Sequence, residues 1–197
     1  DMTLEQITRG CIDFLGSAAA DRRPQPFFLM VEGGIVDWLC HANDTAAVLA
    51  EMCDLGRSVA LALEFYRRYP AETLIVVTAD HETGGLAVGR GETAPMSFDA
   101  LARQTASVIG VTMRLRALRD ARPGETVPWD DVRGVLRESY GFWDYTELTP
   151  EEEALLKESY EESFRSQEGP LVRSLYYAVE PVADCAVGIV ARRTGMA

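Results

Sequence analysis

Phe27-Phe28-Leu29-Met30-Val31 and Thr73-Leu74-Ile75-Val76-Val77-Thr78 are the two stretches whose reading decides the fold. Each is a short apolar run, and the second is rich in β-branched residues. The first ends at Glu32-Gly33-Gly34 and the second at Ala79-Asp80-His81. Runs of this kind suit strands buried on both faces of a parallel sheet. Between them, Asp44 to Tyr69 reads as one long helix. Asp44 is a candidate N-cap, Ala47, Val48, Met52, Leu55, Val59, Leu63 and Tyr66 recur at three- and four-residue steps, and Pro70 closes the segment. Strand, helix, strand predicts a βαβ unit with a right-handed crossover. The expected fold class is therefore α/β. It is a three-layer α/β/α sandwich on a parallel βαβ core, followed by a mainly helical C-terminal region, and incomplete as a domain.

Outward from this unit, residues 3–20 carry a helical stripe of Leu4, Ile7, Cys11, Phe14 and Leu15, with Thr3 as N-cap. Asp21 to Pro26 reads as a turn. Residues 82–96 are glycine-rich and read as a loop. Helical texture follows at about 97–119, 129–139, 150–166 and 170–193, with Pro181 expected to kink or split the last. Residues 1–90 thus form a partial α/β core that carries the candidate ligands, and residues 91–197 a mainly helical continuation of the same domain.

The 197 residues are 47% hydrophobic and 25% charged, which are globular proportions. No apolar run reaches the roughly 18 residues of a membrane span. A net charge of -12 argues against wrapping nucleic acid by phosphate neutralisation and leaves room for bound cations. Cys11, Cys40, Cys53 and Cys185 form no CxxC pair, so they read as neither a zinc ribbon nor a disulfide framework.

The chain has two histidines, each close to an aspartate. Asp37 and His41 are four residues apart, on one face of a helical turn. Asp80 and His81 are adjacent, where the second expected strand runs out. Glu32 ends the first, and the glycines after it would let the backbone turn sharply and a ligand come close. If the strands are parallel, Glu32, Asp37, His41, Asp80 and His81 all reach the carboxyl edge of the sheet, where open α/β sheets bind ligands. Carboxylate with imidazole suits zinc, and an all-oxygen site suits magnesium. Asp80 and His81, ending a buried strand, are the pair expected to be better fixed before metal arrives. Cys40 and the aromatic set Tyr140, Phe142, Trp143 and Tyr145 read as packing, and Glu151-Glu152-Glu153 as an acidic first helical turn.

Phe27 to Asp37 with His41, and Val76-Val77-Thr78-Ala79-Asp80-His81-Glu82-Thr83-Gly84-Gly85, resemble the two metal-binding blocks of the alkaline phosphatases, in the same order and with a long helix between. The stretch Trp38-x-x-His41-Ala42-Asn43-Asp44 resembles a bacterial branch, and a weaker likeness runs to about residue 193. The resemblance implies that Glu32 helps to bind magnesium, that Asp37 and His41 bind one zinc, and that Asp80 and His81 bind a second. It implies hydrolysis of phosphate monoesters through a phosphoserine intermediate, a periplasmic or secreted location, and a homodimer for the full-length protein. The family's nucleophilic serine, its zinc–magnesium bridging aspartate, its phosphate-clamping arginine and a further zinc-binding histidine have no matching motif here. The chain is accordingly expected to be an internal or C-terminal piece, inactive alone. The alternatives are a phosphodiesterase, sulfatase or phosphomutase of the same superfamily, or a non-catalytic metal-binding remnant.

Overall fold

The computed structural model describes residues 2–17, 26–87, 98–164 and 179–195. Among them the order is α1 (Leu4–Ser17), α2 (Gly34–His41), α3 (Thr45–Arg68), α4 (Asp99–Arg103), α5 (Val108–Asp120), α6 (Trp129–Tyr140), α7 (Pro150–Phe164) and α8 (Pro181–Thr194). The chain divides into two compact units, residues 1–36 with 49–82, and residues 37–48 with 83–197.

The expected α/β class is overturned. Among the described residues there is no strand, only an isolated bridge between Phe142 and Thr146, so the described structure is mainly helical. Residues 27–31 and 73–78 are irregular, and Phe28, Met30, Leu74 and Val76 are 87%, 74%, 87% and 72% exposed. A strand exists only through the ladder it forms with a neighbour, and its preference reflects what packs against its faces. An apolar run reports a tendency to be buried and cannot supply the neighbour. Residues 34–41, between the first apolar run and the long helix, form α2, so the helical turn expected to carry Asp37 and His41 is part of a helix of eight residues. Positions 18–25, 88–97 and 165–178, which include parts of the expected helices and loop, lie outside the described residues.

In the first unit, α1 opens with a reciprocal capping box. The Gln6 amide N–H donates to Thr3 Oγ1 at 3.2 Å, and the Thr3 N–H donates to Gln6 Oε1 at 3.0 Å. Asp54 ties α1 to α3 by accepting from Leu4 N–H at 2.9 Å, while Arg57 reaches Glu5 at 3.3 Å. Phe27 meets Phe65 edge to face at 5.7 Å.

In the second unit, α8 is the central element. Its buried residues fall on every side of the helix, from Val182 and Ala183 to Ile189 and Val190, and α4, α5, α6 and α7 pack against it. Pro181 starts this helix at N1 and does not kink it, and Gly195 closes it in the left-handed conformation. The expected helix over 97–119 is two helices, because Ser107 takes extended backbone and accepts from Gly110 N–H, capping α5 anew. Tyr140 stacks on Phe142 at 5.4 Å and Phe142 meets Trp143 edge to face, so these three pack together, while Tyr145 is 70% exposed under Arg103.

Among the ion pairs of this unit, two involve carboxylates at helix starts. Glu180, fully buried at the head of α8, takes a bidentate grip from Arg119 at 2.8 and 3.0 Å. Glu152 forms the capping box of α7 with Thr149 and is gripped by the Arg193 guanidinium. That hydrogen bond from Arg193 holds the Glu152 carboxyl below its ordinary value of 4.5.

Glu180→Ala removes the carboxylate from the Arg119 guanidinium, which keeps only the Ser163 carbonyl as an acceptor at 2.9 Å. It is expected to cost about 3 kcal/mol, the low end for a broken buried pair because Arg119 keeps contact with solvent. The Trp fluorescence midpoint in urea measures it. Glu152 has a depressed folded-state pKa, so its contribution to stability is complete above about pH 4.5 and fades as pH falls through the folded value. Glu152→Gln should flatten the acid limb of a stability–pH curve below about pH 4.5.

Candidate metal-binding pairs

Asp37 and His41 lie on α2, four residues apart on one face, with His41 Nε2 3.8 Å from Asp37 Oδ2. Two ligands of a tetrahedral zinc stand about 3.3 Å apart when each metal–ligand distance is about 2.0 Å. The pair stands about 0.5 Å wider than two corners of such a site, so a bound zinc would have to draw it together. The other carboxylate oxygen, Asp37 Oδ1, accepts from the Thr83 hydroxyl at 3.1 Å. A ligand carboxylate oriented by a neighbouring donor is what metal sites require.

Asp80 and His81 belong to the first unit. His81 Nε2 stands 3.5 Å from Asp80 Oδ2, and His81 Nδ1 lies 2.5 Å from the Glu82 carbonyl. With Nδ1 as the donor, the Nε2 lone pair is left on the Asp80 side, the tautomer a metal-binding imidazole uses. Glu32 is exposed, and its carboxylate lies over the backbone of Gly34 at the start of α2. The structure gives the glycines a packing role: a Cβ on Gly33 would approach Leu55 Cδ2 to 3.3 Å, and neither Gly33 nor Gly34 has a positive φ.

Among the described residues no three His, Cys, Asp or Glu side chains gather in a group able to hold a metal ion. What the structure brings together is two carboxylate–imidazole pairs. The order of rigidity is also the reverse of the sequence expectation. Asp80 is 89% exposed on an irregular segment, whereas Asp37 is 34% exposed, on a helix, with Thr83 on its carboxylate.

Sequence reasoning missed Thr83 and the reason for Gly84. Gly84 has φ of 64° and presses on the Cys40–His41 peptide, so that a Cβ there would come within 2.6 Å of the Cys40 carbonyl oxygen. The glycine pair was visible in the sequence, but only the contact shows that it lets residues 83–85 close on α2. Burial first, and then the Asp37 carboxylate, push the Cys40 thiol up, which keeps it protonated and a poor ligand.

Comparison with known proteins gives these pairs a context. The family model described as alkaline phosphatase matches residues 1–169. Alkaline phosphatase 4 of Bacillus subtilis is 38% identical over 87 residues, which is 44% of this chain and 18% of that protein. Streptomycin-6-phosphate phosphatase of Streptomyces griseus is 42% identical over 81 residues, 40% of this chain and 18% of that protein. The crystal structure of a cold-active alkaline phosphatase from Shewanella sp. superposes with a TM-score of 0.70 at 23% identity, over 99% of this chain and 40% of that one. The matched stretches thus span well under half the length of each relative.

Gly84 and Gly85 both have positive φ, 64° and 68°, but only Gly84 has atoms in the way of a Cβ. Gly85→Ala should therefore cost only the left-handed backbone term, about 1 kcal/mol. Gly84→Ala should cost clearly more and shift the His41 imidazole resonance. Equal costs in urea unfolding would show that the approach to Cys40 is no constraint.

Proposed function

The chain belongs to the alkaline phosphatase family, and from that premise we propose that it carries most of the metal ligands of a metal-dependent phosphomonoesterase. Asp37 and His41 would hold one zinc, Asp80 and His81 a second, and Glu32 would contribute to magnesium. The observation that carries this reading is the repeated geometry. Both histidines of the chain stand beside an aspartate at 3.8 and 3.5 Å, close to the spacing of two ligands on one ion. The fit is partial, since each pair supplies two donors and a catalytic zinc site takes about three from protein.

When bound, such metals supply positive charge to a phosphoryl oxygen and lower the pKa of coordinated water. The residues of this chain bind and orient. Thr83 fixes the Asp37 carboxylate, and the Glu82 carbonyl fixes the His81 ring. The proposed substrate class is phosphate monoesters, the class to which the name of the Streptomyces griseus relative also points. The proposed route is a phosphoserine intermediate whose serine motif this sequence does not contain. A periplasmic or secreted location and a homodimer of the full-length protein belong to the same reading. No described helix is long and apolar enough to cross a membrane.

Zinc titration of the 197-residue chain tests the ligand assignment. Zinc should bind, and Asp37→Ala should weaken binding more than Asp80→Ala, because the Asp37 pair is fixed beforehand and loses less entropy. Zinc affinity untouched by either substitution would end the reading. With zinc and magnesium supplied, p-nitrophenyl phosphate should be turned over little or not at all, because members of a catalytic unit act together. Robust hydrolysis lost in His81→Ala would reveal a nucleophile within these residues.

A further inference from the structure

We infer that Asp44 is a positioning residue for the Asp37–His41 pair: its buried carboxylate and backbone lock the turn that ends α2, three residues from His41. The inference rests on the proposal that this pair holds zinc, and goes beyond it by naming what holds the pair in place.

The turn has a defined chemistry. The Asn43 N–H donates to Cys40 O at 3.0 Å and the Asp44 N–H donates to Leu39 O at 2.9 Å, while Asn43 takes the left-handed conformation with φ of 53°. This is a Schellman termination, with asparagine where glycine is commonest. Asp44 thus closes α2 with its backbone. With its side chain it opens α3, where Oδ1 accepts from Ala47 N–H at 3.3 Å. The same carboxylate reaches a third helix. Oδ2 accepts from Val108 N–H, the first residue of α5, at 2.7 Å, and the Gln104 amide donates to Oδ1 at 2.6 Å.

α2 has eight residues, too few to be stable from its own hydrogen bonds. Its geometry must come from what holds its ends. Gly84 presses on the Cys40–His41 peptide from one side, and Asp44 anchors the chain just beyond. Any slackening at Asp44 frees Asn43 from its left-handed conformation and lets His41 rotate away from Asp37.

The surroundings are costly, which points to function over stability. Asp44 is wholly buried, and Thr45 Oγ1, Gln104 Oε1, Asn43 Oδ1 and Tyr140 OH are buried with no protein partner among the described residues. Thr45 and Asn43 flank Asp44, Gln104 bonds to it, and Tyr140 feels its charge. Departures of this kind from the most stable arrangement gather at functional sites.

The two histidines give separate imidazole signals, so one zinc titration followed by NMR reads both sites in the same chain. In Asp44→Asn the zinc midpoint of His41 should rise about tenfold or more, the usual cost of removing an outer support. The midpoint of His81 should stay where it is, and the Trp129 and Trp143 indole signals should keep their native positions. An unchanged His41 midpoint in a folded variant overturns the inference. So does an equal rise at both histidines, which would mean general loosening. Should Asp44→Asn lose its native indole signals, Gln104→Met is the second variant. It removes one donor from Asp44 and should give a smaller rise confined to His41, and no change there in the folded chain again overturns the inference. If wild-type His41 does not respond to zinc at all, the zinc assignment has failed instead.

Discussion

Donors from two separate regions of the chain converge on the buried carboxylate of Asp44. They are the N–H of Ala47, at the head of the helix Asp44 caps, the N–H of Val108, at the head of α5, and the amide of Gln104. Helix N-termini carry partial positive charge, so two of them aimed at one anion stabilise it where water cannot. Burial pushes the carboxyl above its ordinary value, and these donors reduce that shift without cancelling it. The positions of the end of α2, the start of α3 and the start of α5 all follow from this one contact. So does the placement of Asp37 and His41, which sit on the helix it terminates.

The helices were legible where local signals decide them. Thr3 caps α1 as its sequence position indicates, Asp44 opens α3, and the acidic run after Pro150 occupies the first turn of α7. The α/β class was not, because two apolar runs were treated as evidence of a ladder. Phe28 and Leu74, each 87% exposed, show what such a run is without one. Propensity and hydrophobicity are properties of a segment, whereas a strand is a property of a pair of segments. The break at Gln104–Ser107 was missed for a related reason. The apolar pattern continues across it, and only Ser107 accepting from Gly110 N–H marks the new start.

The candidate site was readable in its donors and unreadable in its supports. A spacing of four places Asp37 and His41 together whenever the segment is helical, and adjacency does the same for Asp80 and His81. Thr83, by contrast, is 46 residues from Asp37, and Gln104 is 60 from Asp44. No periodicity links such positions, because their meeting depends on how the intervening chain folds. The ranking of the two pairs failed with the strand assignment. Rigidity attributed to a sheet behind Asp80 is found instead in a helix end and a loop contact around Asp37.

Glu180 and Asp44 are both carboxylates buried completely at helix N-termini, yet they are compensated differently. Glu180 meets Arg119 in a fork, charge against charge, and the residues around it complete the packing of α8. Asp44 is offset by N–H dipoles and an amide, in a neighbourhood where several polar atoms lack a protein partner. A serine in its place would cap α3 without burying a charge, so stability is not what its position optimises. What the carboxylate adds is reach: two oxygens let one side chain hold two helix starts while its own N–H closes a third helix. That rigidity is what an eight-residue helix bearing two candidate ligands cannot generate by itself. Asp80, 89% exposed on irregular chain, has no comparable anchor. One pair is therefore built before any ligand arrives, whereas the geometry of the other must be settled in large part by the ligand it meets.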